Sequence, residues 1–234
     1  KLPVRSRIAQ LMLRRTRRRW RALPKAQSGL ALIEFAFSLP IFMLLAMFGA
    51  EIAFLATANM RTSQVALMLA DNASRLGQTD TNTLSPTITD SDINTVLRGA
   101  SLQTKTLGMM QKGRIVVSSL ERNASGGQTI RWQRCAGVYN RASMYGGEGK
   151  GASDNSLKGM GRGTALATAE PGSAVMFVEV FYRYKPLFGT TFMSERILSQ
   201  EAAMVVRDNR NLSAGLANDV EASKRMTCDH YRTI

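Results

Sequence analysis

Few side chains in this chain suit acid–base, nucleophilic or metal chemistry, and their spacing narrows the choice quickly. The single histidine, His230, stands beside Cys228 and Asp229. Adjacent residues rarely converge on one ion, and no second cluster of ligand types accompanies them, so no metal is expected. There is no Ser-His-Asp arrangement and no G-x-S-x-G motif, which leaves no nucleophile with an activating base. The stretch GGEGKGAS at 146–153 invites a phosphate-loop reading. It fails because Gly151 follows Lys150 where Ser or Thr is needed, and no strand-to-helix context surrounds it. The expectation is a protein without enzymatic activity or cofactor. Two features with chemical content remain. Cys135 and Cys228 are either a disulfide or two structural thiols. A bridge over so long a loop would stabilise by about 4–5 kcal/mol on a chain-entropy estimate. Glu34 is a carboxylate at the start of a long apolar run.

That run contains no charge from Phe35 to Ala50. Extended back to Leu30, it is a helix of about 31 Å, close to the hydrocarbon thickness of a bilayer. Glu51 then falls at the far edge, where water is expected. Glu34 lies about 6 Å inside if Leu30 marks the near interface. An ionisable group there needs a partner or a role, or is protonated and snorkels toward the interface. Pro40 removes one helix hydrogen bond and predicts a kink. The net charge of +14 is concentrated upstream: residues 1–29 hold ten of the 31 basic residues and none of the 17 acidic ones. The remainder, with 21 basic and 17 acidic residues, is only mildly basic. A basic tail abutting an apolar run fits a cytoplasmic N-terminus and an extracytoplasmic C-terminal part, a compartment in which disulfides form. It argues against nucleic acid as the partner.

Several readings of this segment compete. A secretory signal peptide would use ATAN (Ala56 to Asn59), with cleavage after Ala58, but the apolar stretch is long for one and Glu51 lies close before the site. TRRRWRAL (Thr16 to Leu23) is a loose twin-arginine match of the kind any arginine-rich tail produces. An uncleaved single-pass anchor is a third reading. The fourth rests on GLALIEF, Gly29 to Phe35. This resembles the processing site of type IV prepilins: a basic leader, a glycine, four mostly apolar residues, a glutamate and an aromatic. The Glu-Phe pair (Glu34, Phe35) followed by an apolar run with Leu39 and Pro40 is similar to the short TadE/TadG-like minor pilins of tight-adherence (Tad/Flp) pili. Leu30 departs from the usual residue at the first mature position. Looser similarities follow in WQRC (Trp132 to Cys135), YRYKPLF (Tyr182 to Phe188) and the run from Ala202 to Arg207.

The resemblance implies cleavage between Gly29 and Leu30 by a prepilin peptidase, removing leader 1–29. It also implies an inner-membrane protein with a periplasmic head, working with other pilins and an inner-membrane assembly platform. Cleavage would create an α-amine at Leu30, and a carboxylate four residues on could pair with that amine or a neighbour's.

The elements that must position these residues are legible in outline. Ile52, Leu55, Asn59, Thr62, Ala66, Leu69, Ala73 and Leu76 form a stripe at helical spacing, so the helix is expected to run from Leu30 to Leu76, about 70 Å, with Gly77 as its stop. A polar loop follows at 78–90, then a short helix at 92–99 capped by Ser91. Strands are expected at 114–120 and 128–135, joined by a hairpin through Asn123 to Gly127, and at 173–185. In the last of these Met176, Val178, Val180, Tyr182 and Tyr184 share one face, and Glu179, Arg183 and Lys185 the other. Residues 196–208 read as a strand, though part could be helical. The expectation is an α+β head in 77–234, an antiparallel sheet packed on the upper part of the long helix. Region 136–172 holds nine of the 19 glycines. It reads as a mobile loop, or alternatively as one that binds a partner.

Overall fold

The computed structural model of the chain describes residues 29–77, 85–207 and 209–234. The basic leader, the twin-arginine match at 16–23 and the first part of the polar loop at 78–90 lie outside the described residues. One helix, α1 (Leu30–Ser74), runs through the apolar segment and beyond it. Its assignment continues unbroken through Pro40. Leu, Ala, Met and Phe dominate its first half, and the two poorest helix formers there, Pro40 and Gly49, do not interrupt it. A turn at 75–77 ends it, with Gly77 at a positive φ of 99° that a side chain would resist.

The chain divides into two compact units between Ala50 and Glu51. In the first, the most apolar stretch of α1 is long enough to cross a membrane, and none of it is buried. The second unit, the head, owns the rest of α1. There the buried line begins at Glu51 and continues through Ala58, Thr62, Val65, Ala66, Leu69 and Ala73. Thr62, Ala66, Leu69 and Ala73 belong to the expected stripe. Ile52 and Asn59 of that stripe are not buried: both are exposed, and the buried line at that end is offset from them.

A second helix, α2 (Asp90–Gln103), starts earlier and ends later than the sequence suggests. Its cap is Thr89, not Ser91. The Thr89 hydroxyl accepts from Asp92 N at 3.3 Å, and the Asp92 carboxylate accepts from Thr89 N at 2.9 Å, a reciprocal capping box. A 3-10 turn at Lys105–Leu107 and a one-turn helix, α3 (Met109–Lys112), lead into the sheet.

The sheet has four antiparallel strands, β1 (Gly113–Arg122), β2 (Gln128–Ala136), β3 (Ala174–Tyr184) and β4 (Arg196–Val205), in the order β2-β1-β3-β4. The head is therefore α+β, and 196–205 is strand. The β1–β2 hairpin closes through Asn123, whose side chain accepts from Gly127 N at 2.8 Å. A bulge interrupts the β1–β2 register: Ser119 pairs with Trp132 and Leu120 with Ile130, leaving Arg131 without a partner position. The extra residue turns Trp132 and Ile130, which plain alternation would put together, to opposite faces.

Both faces of the sheet are covered. One carries Ile115, Val117, Met176, Val178, Val180 and Tyr182, clustered with Leu69 of α1 and Ile93 and Leu97 of α2. The other carries Leu120, Ile130, Val175 and Phe177, clustered with Leu157, Met160 and Ala169. The region expected to be a mobile loop, 136–172, thus supplies a third layer. Met160 in it is wholly buried. The expected polar face of β3 is correspondingly wrong for Glu179, which this layer buries.

Candidate functional site

The stretch Gly29–Phe35 opens α1. Gly29 has open space around it, and Leu30, Glu34 and Phe35 are exposed. Leu30 and Glu34 are one helical turn apart on one face, so a charge at position 30 lies within reach of the carboxylate. Among the described residues no basic side chain pairs with Glu34.

The second carboxylate bordering the apolar run has the opposite environment. Glu51 was expected in water; it is solvent-inaccessible. One oxygen accepts from the Tyr184 hydroxyl at 2.7 Å, the other from Leu187 N at 2.9 Å and Phe188 N at 3.2 Å. The Tyr184 hydroxyl, against the opposing effect of burial and with help from the two N–H groups, holds the carboxyl below its ordinary range. Burial and the neighbouring carboxylate push the tyrosine up to about 12. The donors all lie in YRYKPLF, noted in the sequence without a role. A signal was present: Glu51, Ala58 and Val65 recur every seven residues on one helix face, which places Glu51 inward.

Other buried polar groups bind the layers together. Arg134 of β2 reaches Asp90 at the start of α2 at 2.5 Å and Glu148 of the third layer at 3.0 Å. Glu179 accepts from the Ser143 hydroxyl at 2.5 Å and from Met144 N at 2.8 Å. Burial outweighs those bonds and raises its carboxyl above the ordinary value. A displaced carboxyl in an interior invites an acid–base role. Here both oxygens are engaged by the covering layer, so the group fastens that layer to the sheet. Glu201, its partner on β4, does the same through Tyr145 and Arg162, each at 3.0 Å.

The remaining sequence candidates resolve into structure. GGEGKGAS runs along the free edge of β2: Ile130 N donates to Lys150 O at 2.9 Å and Gly149 N to Ile130 O at 2.8 Å. Gly151, at φ 79°, comes so close that a Cβ would lie 2.2 Å from Gln128 O, which explains the glycine by packing. Cys135 and Cys228 form a disulfide with a sequence separation of 93. The C-terminal segment continues along the same strand edge, with Cys135 N donating to Met226 O at 2.6 Å and Gly137 N to Arg232 O at 2.7 Å. Buried Arg114 grips it, donating to the carbonyls of Cys228 and His230 at 2.7 Å each. Covering an edge in this way removes a template for unwanted strand pairing. His230 and Asp229 are both exposed, 3.6 Å apart.

The built features are thus an accessible motif at the start of an exposed apolar helix, and a disulfide-closed head gripped around Glu51. Comparison of the chain with known protein families, with characterised proteins and with solved structures returned no match.

Proposed function

We propose that the chain is a TadE-like minor pilin or pseudopilin that assists initiation or assembly of a tight-adherence pilus. The observation that carries this reading is the Gly29–Phe35 motif at the start of an exposed apolar helix, with Gly29 unobstructed. A prepilin peptidase would cut between Gly29 and Leu30, and the new amine would pair with Glu34, its own or that of another pilin. The helix would cross the inner membrane with the basic tail inside, as the positive-inside rule directs. The head would stand in the periplasm, where its disulfide is at home. Its role would be structural, through contacts with the lipid bilayer, other pilins and the inner-membrane assembly platform. No chemistry and no nucleic acid enter.

The alternative is an uncleaved, single-pass anchored envelope protein, which the apolar helix alone favours. Release after Ala58 is disfavoured by a specific bond set: the cut would detach Glu51 from the head that encloses it. Mass spectrometry of the N-terminus, on protein from cells with active prepilin peptidase, separates the readings. A mature chain starting at Leu30 is expected. Recovery of only uncut chain overturns the pilin reading in favour of the anchor, and a start at Asn59 overturns both.

A further inference from the structure

The segment joining β3 to β4, Lys185 to Glu195, is held to the helix at one level. Leu187 N and Phe188 N donate to Glu51, and the Lys185–Glu195 pair at 3.8 Å closes the loop's base. Its tip is apolar and only partly covered by the head: Met193 packs on the core, while Leu187 stands out. Leu187 is 52% exposed, and Phe188 and Phe192, both part-exposed, meet edge to face at 6.2 Å. On α1, Ile52 and Phe54, just after Glu51, are also exposed. Basic Arg183, Lys185 and Arg196 flank the tip and are exposed, against one acid, Glu195.

We propose that this loop, with Ile52 and Phe54, is a membrane-surface collar that seats the head on the bilayer its own helix crosses. The proposal rests on the reading of 30–50 as a membrane span. Glu51 is the first residue beyond that span, about 1.5 Å further along the axis. Whatever bonds to Glu51 is therefore held at the boundary between hydrocarbon and headgroups. Phe and Leu beside Lys and Arg are the composition of segments that lie in that interface: the apolar side chains bury into the headgroup–acyl boundary, and lysine and arginine reach outward to phosphate. Elsewhere an exposed Leu-Phe tip would cost solubility; at this level it has a partner of matching chemistry. The collar would fix the tilt and height of the head, and so the orientation it presents to neighbouring subunits.

The test uses the full chain in vesicles of phosphatidylcholine and phosphatidylglycerol, with acyl chains plain or brominated near the headgroup. Leu187→Trp reports on the tip. Ala124→Trp, in the hairpin at the opposite end of the sheet, is the control. Both carry Trp20→Phe, so that buried Trp132 is a constant background. Leu187→Trp emission is expected to fall roughly twofold in brominated relative to plain vesicles, as for a ring at the interface, with the control unchanged. If the chain floats with the vesicles but Leu187→Trp is quenched no more than the control, the collar is overturned while the span stands. Unquenched emission that shifts blue with protein density overturns it in favour of a second copy covering the tip. Failure to float overturns the span and the collar together.

Discussion

Glu179 and Glu51 are buried carboxylates whose environments push them in opposite directions; helix spacing carried a signal for the burial of Glu51, whereas nothing in the strand pattern carried one for Glu179. Alternation along β3 placed Glu179 on a polar face because the pattern reports which residues share a face, not what covers it. The covering layer comes from 143–160, residues with no periodicity of their own. The consequence for pH can be worked out for Glu179. Well below 4.5, the ordinary value, the carboxyl is protonated in folded and unfolded chains alike and burial has no titration cost. As pH rises through that value the unfolded chain ionises first, and the folded one lags because its pKa is raised. Stability is lost across that window and levels off above the folded pKa. Glu179→Gln removes the titration. Urea denaturation from about pH 4 to about pH 7 is expected to show stability shifting in favour of the variant, relative to the parent, as pH rises. A difference independent of pH would refute the assignment.

At the level of elements the sequence was more informative. β-Branched runs located the four strands to within a residue or two at most ends, and the turn residues located the hairpin. The bulge at Arg131 and the segment 104–112 were not legible, because a bulge is fixed by both strands and short turns by the packing at either end. The disulfide was legible as a candidate, but its partner contacts were not. It lies where the C-terminal segment runs along the β2 edge, and those backbone bonds and the Arg114 grip do not involve the sulfurs. The Cys135→Ser, Cys228→Ser double variant is therefore expected to fold, with stability lowered by up to about 4–5 kcal/mol on the chain-entropy estimate for a loop of this length. Guanidinium denaturation of parent and variant checks this, as does the parent with and without reductant. An unchanged midpoint would mean that the edge contacts alone hold the segment.

For the whole molecule, the two carboxylates that border the apolar run differ in environment. Glu51 finds all its partners in its own head, whereas Glu34 is exposed and pairs with no described basic group. A carboxylate satisfied within the chain serves folding; on the proposed pilin reading, one left open in a membrane-length helix would take a partner from processing or from a neighbour. The two substitutions should therefore separate folding from assembly. Glu51→Ala removes the carboxylate that accepts from the Tyr184 hydroxyl and two part-buried N–H groups, leaving the hydroxyl only the carbonyl of residue 51 at 3.5 Å, and is expected to lower the melting temperature of the detergent-solubilised chain. Glu34→Ala is expected to leave melting and cleavage at Gly29 intact and to reduce co-purification with other pilins and pilus assembly. Thermal melts, N-terminal mass and pilus yield on the same two variants decide the matter. Normal pilus yield from Glu34→Ala would refute the pairing role, and an unchanged melt for Glu51→Ala would refute the clasp. If both effects appear, each on its own readout, then one helix carries the anchoring of the head at residue 51 and the matching of subunits at residue 34, about 26 Å apart along it.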